Sequence, residues 1–352
     1  MNILFIWTGI PSYMLDCWRE LASRPGINIK LFLEINRADE QFAEKQSQGL
    51  DCSFVYKGEP VNKDQVWQSI REFNPGLLVI VGWRAKISRF AATDGAFDKI
   101  PKLLAFDMIF EWRFRKLLAP LVLRPYLKRF QGAFVPGDRT AFYAKFLGFK
   151  SSNIHHGLFS VDTQKFRAAV QKRNAGKDYP RSFVFVGRYA REKRLDVLVA
   201  AYKLYRVKVD RPWSLNCYGA GTEGSVLEGV AGVLDCGYAE PSGMVGVYAK
   251  NGAFVLTSEY DPWPLVIAEA VASGLPVVCT EACGSHADLV RSYYNGVVCG
   301  TNDAESIAAG MLWVHRNEER IFEIGQRGIA LVEPYSKEQW TEKFSAIAER
   351  YG

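Results

Sequence analysis

The sequence predicts an α/β protein: two doubly wound, Rossmann-like domains facing a cleft, with a C-terminal helix packing back on them. Three observations carry this. The chain has 352 residues, long for one domain and enough for two separate cores. Near-continuous apolar runs alternate with helical patterns along its length, as in parallel sheets covered on both faces. Many of these runs end in glycine or a small polar residue, at the strand-to-helix turns where such sheets place ligands.

In the first half the expected strands are Ile3–Trp7, Ile27–Glu34, Leu77–Trp83, Lys102–Asp107 and Gly132–Gly137, with a helix-like stretch at Lys63–Phe73. In the second half SFVFVGR, SLNCYGAG, GAFVLTS and LPVVCTE are four short buried strands. Leu195, Leu198, Val199 and Tyr202 form one helical face after the first of them. Between the halves, KSSNIHHGLFSVDTQKF and the polar QKRNAGKDYP read as hinge and loop. The C-terminus opens with Ser336-x-x-Gln339, a capping pattern, and then sets Trp340, Phe344, Ile347 and Tyr351 on one face. That stripe must bury against one of the domains. The expected boundaries are 1–165 plus 336–352 for the N-terminal domain, and 166–335 for the C-terminal domain.

Composition removes several classes. With 48% hydrophobic residues and nine Trp the chain is not disordered. No apolar run approaches the roughly 18–20 residues of a membrane helix. MNILFIWTGIPS has no basic region or cleavage site and reads as a first strand rather than a signal peptide. None of the seven cysteines sits in a CxxC pair, and Cys279 and Cys283 lack a second pair to complete a zinc site. Free thiols in a reducing cytoplasm are expected, and no metal. Charge is uneven: residues 1–158 carry a net +7 and the remainder −1. One face of the first half is therefore expected to meet something anionic.

The most informative block is Ser258–Gly284, SEYDPWPLVIAEAVASGLPVVCTEACG. A strand ends, a loop brings Asp261, and Pro264 suits the first turn of a helix over Leu265–Ser273. Asp261 then lies at the helix start and Glu269 on its second turn. Two carboxylates that accept from hydroxyls, beside helix-start amides that attract phosphate, suit a sugar nucleotide. The same residues also fit a capping Asp261 and a solvated Glu269. In Phe185–Tyr202, Gly187 ends a strand, and Arg188 and Lys193 stand before a helix. Two such cations can clamp a diphosphate, or form a solvated basic loop with Arg191 and Arg194. Gly219, Gly221 and Gly224 satisfy GxGxxG, with Asp235 where a ribose-binding acid would stand. EGSVLEGVAGV is a poor opening for the required helix, so a Gly-rich turn is the better reading.

In order, strand–Gly-Arg-x4-Lys–helix, strand–Gly-x-Gly, then strand–(Asp/Glu)-x7-Glu–helix–GLPVV resembles the donor domain of retaining glycosyltransferases of family 4. These are group 1 glycosyl transferases with the GT-B fold. The resemblance covers about Ser182–Leu312 and extends to HHGLFSVDTQKF, similar to that family's linker at Asp162 and Phe166. It implies that Arg188 and Lys193 hold the donor diphosphate, Glu269 the ribose hydroxyls, and Asp261 the donor sugar. It further implies sugar and phosphate contact from the amides of Trp263, Pro264, Leu265 and Val266, apart from the N–H that proline lacks. Gly187 and Gly219 would line the nucleotide, and Gly9 would let the first domain approach the diphosphate. Departures are Asp261 for the first Glu, Pro264 for the usual Gly, and Asp107 where many members carry a His. Asp107 takes that position against a donor-sugar hydroxyl, or is an N-cap or loop acid. His286, in the Gly284-Ser-His loop, is expected to be a loop side chain.

The reaction implied is transfer of a hexose-type sugar, with retention, from a nucleotide diphosphate sugar to a hydroxyl of a glycan or lipid-linked acceptor. UDP-sugar is the first expectation and GDP-mannose the next, with no cofactor and no metal, and with domain closure excluding water. Met108–Gln131 carries Arg113, Arg115, Lys116, Arg124, Lys128 and Arg129, interleaved with Trp112, Phe114, Leu117, Leu118, Leu121 and Tyr126. This reads as contact with an anionic membrane surface at the inner face, or as two ordinary helices broken by Pro120 and Pro125. No nucleic-acid motif accompanies the charge. Two rival functions are a non-catalytic sugar-nucleotide binder and an NAD-dependent oxidoreductase using Gly219, Gly221 and Gly224.

Overall fold

The apolar runs become strands because residues such as Ile3–Ile6 and Leu77–Ile80 are buried on both faces. A seven-stranded parallel sheet forms from β1 (Asn2–Thr8), β2 (Asn28–Ile35), β3 (Cys52–Tyr56), β4 (Leu77–Val81), β5 (Lys102–Ala105), β6 (Gly132–Val135) and β7 (Ile154–His156). Its spatial order is β3-β2-β1-β4-β5-β6-β7. A second, six-stranded parallel sheet comprises β8 (Ser182–Val186), β9 (Ser214–Tyr218), β10 (Val233–Asp235), β11 (Ala253–Leu256), β12 (Val277–Thr280) and β13 (Gly296–Cys299). Its order is β10-β9-β8-β11-β12-β13. The computed structural model describes residues 1–174 and 179–352. Of the expected hinge at 171–180, residues 175–178 lie outside the described residues.

Each sheet reverses its strand order once, between β1 and β4 and between β8 and β11. The carboxyl ends of those strand pairs are the topological switch points where open α/β sheets bind ligands. Four strands escape the sequence pattern, and each has its reason. β3, β7, β10 and β13 are sheet-edge strands of three to five residues. β3 and β10 are only partly buried, so their apolar signal is weak.

The units are Met1–Ser160 with Lys337–Gly352, and Val161–Ser336. The first boundary falls at 160/161 rather than 165/166. The reason is hydrogen bonding: the Ser160 hydroxyl lies 2.8 Å from Cys17 Sγ in the first unit. The Val161 amide instead donates to the Tyr335 carbonyl in the second. Asp162 Oδ1 then accepts from the Lys165 amide at 2.9 Å, at the start of the helix Thr163–Asn174. The C-terminal helix Lys337–Tyr351 returns to the first unit. Trp340 stacks on Phe344 at 5.0 Å, Phe344 meets Phe5 and Phe134, and the Trp340 indole N–H donates to the Leu158 carbonyl. The Tyr351 hydroxyl pairs with His155 Nε2 at 2.9 Å, which accounts for that histidine.

Candidate functional site

In the second unit the site is built where β8 and β11 end. Beyond β8, Gly187 and Arg188 lead into the single turn Arg191–Lys193 and then the helix Leu195–Arg206. Beyond β11, residues 257–264 lead into the helix Leu265–Ala272. The two loops are stitched together. Thr257 Oγ1 donates to the carbonyls of Lys193 and Arg194, and the Glu259 amide donates to the Glu192 carbonyl at 2.8 Å. Arg194 is spent on this scaffold, bonding Asp196, Glu259 and Asn302.

That stitching carries Lys193 onto Asp261. Lys193 Nζ donates to Asp261 Oδ2, and each side chain is only 14% exposed. Burial pushes the Asp261 carboxyl above its usual range, and the Lys193 charge, pulling it down, does not overcome this. Asp261 therefore does not cap the helix. Its backbone is held by Ala282 and Gly284 of the loop after β12, and Pro264 occupies the N-cap with no side-chain cap present. Pro264 thus stands one position before the helix, where its missing N–H costs nothing. The first-turn amides that follow, from Leu265 and Val266, have no acceptor within their own helix. Trp263 is buried, with its indole N–H on Asp288 Oδ2 at 3.0 Å.

Glu269 is not a solvated helix residue either. Its carboxylate accepts from the Tyr248 hydroxyl at 2.8 Å, and burial pushes it up to about 7 against the downward pull of that bond and of Lys165. Sequence reading missed Tyr248, which sits on the helix Met244–Ala249 and carries no motif. Phe166 packs edge-on to its ring at 5.7 Å. Buried Arg173 donates to the Tyr248 carbonyl at 2.7 Å and the Ser273 carbonyl at 3.0 Å. One guanidinium thereby holds the ends of both helices that present the Tyr248–Glu269 pair. Arg188 differs from Lys193: its side chain is 78% exposed and bonds Glu192 at 2.9 Å.

The three glycines of GxGxxG answer to packing. A Cβ on Gly219 would lie 1.9 Å from the Gly187 carbonyl oxygen, and one on Gly221 would lie 2.3 Å from the Tyr189 carbonyl oxygen. The Tyr189 ring fills the space over Gly219 and Gly224, and its hydroxyl donates to Asp235 at 2.8 Å. Gly224–Leu227 is a single 3-10 turn, so the helix a dinucleotide fingerprint requires is not formed. Gly219→Ala is expected to destabilise the second unit by about 1–3 kcal/mol through this overlap, read from the denaturant midpoint.

In the first unit Gly9 follows β1 at φ +72°, its amide donating to the Glu34 carbonyl at 2.9 Å. A Cβ there would meet nothing within 4 Å, so glycine answers to the backbone and leaves the space above it open. Asp107 lies two residues past β5, where no helix begins, which removes the N-cap reading. Its charge reaches Tyr13, whose hydroxyl is pushed up by burial first and Asp107 second. Beside Gly9 a cavity of about 910 Å³ opens at the carboxyl end of this sheet, lined among others by Glu34, Asp39, Phe42, Arg84 and Lys86. His286 starts a short helix with its amide on the Cys283 carbonyl. Among the described residues no cluster of three His, Cys, Asp or Glu could hold a metal, and all seven cysteines are free.

Comparison with known proteins bears on this arrangement. Residues 167–331 match the family described as glycosyl transferases group 1. An uncharacterized glycosyltransferase of Haemophilus influenzae is 24% identical over 204 residues, 56% of each chain. A GDP-mannose-dependent alpha-mannosyltransferase of Mycobacterium tuberculosis is 28% identical over 157 residues, 43% of this chain and 40% of that protein. The chain thus matches about half the length of these curated relatives. The crystal structure of Anabaena HepE in complex with UDP superposes with a TM-score of 0.77 at 13% identity, covering 99% of this chain and all of that one. The fold is GT-B, two doubly wound α/β domains.

Proposed function

We propose, from the premise that residues 167–331 belong to the glycosyl transferases group 1, that this protein is a retaining glycosyltransferase. It moves a hexose-type sugar from a nucleotide diphosphate sugar to a hydroxyl of a glycan or lipid-linked glycan, in the cytoplasm. The observation that carries this reading is the pairing of Lys193 with Asp261 and of Tyr248 with Glu269, on either side of a helix start without a side-chain cap.

Glu269 accepts the ribose hydroxyls, with Tyr248 holding its carboxylate in place. An ammonium has three donors, so Lys193 keeps Asp261 and still donates to a phosphate. Arg188, exposed at the same turn, adds the second cation. Asp261 and the amides of Leu265 and Val266 take the donor sugar and its phosphate. The acceptor hydroxyl attacks the anomeric carbon on the face the nucleotide leaves. The carbon–oxygen bond to phosphate breaks with its electron pair, and the leaving phosphate oxygen takes the acceptor proton. Charge stabilisation by Lys193 and Arg188 supplies what a metal would, so activity is metal-independent. Gly9 and Asp107 serve the donor diphosphate and sugar, and the cavity lined by Glu34, Arg84 and Lys86 takes the acceptor. A UDP-sugar is the first donor, since the superposed HepE structure is in complex with UDP, and GDP-mannose the second, from the mycobacterial relative.

The test is a thermal-shift panel of UDP, GDP, ADP, their sugar conjugates and NAD, first with chelator and then with magnesium. Saturation at about 100 times Kd stabilises the folded state by roughly 2.7 kcal/mol. A shift with one nucleotide diphosphate in chelator is expected. A shift that requires magnesium sinks the metal-independent mechanism, and a shift with NAD alone sinks the transferase reading.

A further inference from the structure

We propose that the helix Phe114–Val122 and its basic flanks dock on an anionic phospholipid bilayer. The observation is a helix whose apolar stripe faces outward. Phe114, Leu117, Leu118, Leu121 and Val122 recur at i, i+3, i+4, i+7 and i+8, the spacing of a stripe that ordinarily meets a core. All five are exposed, Leu121 to 69% and Val122 to 72%, while Ala119 is the buried residue of this helix. Trp112, 86% exposed, precedes the stripe. Phe142, also exposed, extends it through Phe110, whose ring lies 5.3 Å from Trp112 and 5.9 Å from Phe142. Half of the exposed large apolar side chains among the described residues fall in this one patch.

Its own unit gives the helix little hold. The Lys116 amine donates to the Ile109 carbonyl at 3.0 Å and lies over the Tyr143 ring at 4.8 Å, an anchor that faces inward. Nine residues interrupted by Pro120 are marginal as an isolated helix, so the exposed stripe calls for a covering phase.

The charges select that phase. Arg113, Arg115, Arg124 and Lys128 are exposed along the same segment. Past the helix end, Arg124, Lys128 and Lys150 line a hollow of about 580 Å³ together with Leu121, Phe130 and Phe149. Cations beside apolar side chains fit a phosphate head group with the start of its acyl chains. A second copy seated on this face would set its cations against their own images. An anionic bilayer accepts the stripe, the tryptophan and the cations together.

The experiment is co-sedimentation of the full chain with vesicles of phosphatidylcholine alone, or of phosphatidylcholine mixed with phosphatidylglycerol. Partition onto the anionic vesicles is expected to exceed that onto neutral ones at least tenfold, falling with salt as exposed cations are screened. Leu121→Glu should lower it about tenfold. Neutralising the cations, as Arg124→Gln and Lys128→Gln, should lower it about fivefold for each cation lost. Both sites are on the surface, so unchanged melting temperatures are expected and show that the variants fold. Absent binding, equal partition onto both vesicles, or partition indifferent to Leu121→Glu overturns the proposal. So does a dimer in light scattering that Leu121→Glu dissociates. The proposal rests on no part of the donor reading, which the nucleotide panel tests separately.

Discussion

Lys193→Ala is expected to lower kcat/KM roughly 100-fold or more, about the cost of removing one preorganised donor from developing charge. Nucleotide diphosphate affinity should fall at least tenfold. Lys193 is held in place by Thr257 on its own carbonyl and by Asp261 on its ammonium, and it is nearly buried. A cation so placed need not reorganise when charge builds on the leaving phosphate. Removing it also strands Asp261, whose carboxyl burial already pushes up, so the loss mixes charge with local reorganisation. Lys193→Met with Asp261→Asn separates the two: the double variant should regain thermal stability without regaining nucleotide affinity. Calorimetric UDP and GDP affinities of Lys193→Ala within twofold of the native protein would remove Lys193 from the donor site.

Glu269→Gln is expected to abolish a pH dependence that the native protein shows. The Glu269 carboxyl titrates at about 7 when folded and near 4.3 when unfolded. Between those values the folded state binds the extra proton, so stability falls as pH rises through the window and levels off above 7. The span is on the order of 3 kcal/mol. The native melting temperature should therefore drop relative to Glu269→Gln from pH 5 to 8. Nucleotide binding should run the opposite way. In the proposed site ribose hydroxyls would donate to the ionised carboxylate, so nucleotide-sugar affinity should rise by up to about tenfold per pH unit below 7, and stay flat in the variant. Tyr248→Phe should keep the slope and shift it to higher pH, because the Tyr248 hydroxyl stabilises the ionised form. A native pH profile as flat as that of Glu269→Gln would remove Glu269 from the ribose site.

Both effects depend on groups that the sequence marks and partners that it hides. Lys193 and Asp261 are legible as a basic turn before one helix and an acid before another, yet they stand 68 residues apart. Their union follows from β8 and β11 lying side by side, since the turns after adjacent parallel strands meet. Tyr248 has no spacing to distinguish it from a core tyrosine, and only the packing of its helix and of Leu265–Ala272 on the same helix, Thr163–Asn174, gives it Glu269. Asp235 shows the converse. Its position after GxGxxG looks like a ribose site, and Tyr189 has taken it.

Residue order alone was enough for the alternation of strands and helices, the two-sheet architecture, and the turns that bear the site. Each of these is written locally, in runs of a few apolar residues and in the glycines and prolines that end them. Which carboxylate is buried, which cation is paired and which way a stripe points are not local properties. The run Phe114–Val122 has the periodicity of a core helix and lies with that face in solvent, while Trp340 and Phe344 have similar periodicity and lie buried against β1 and β6. Periodicity states that a face exists; what covers it depends on the surface that long-range packing sets opposite.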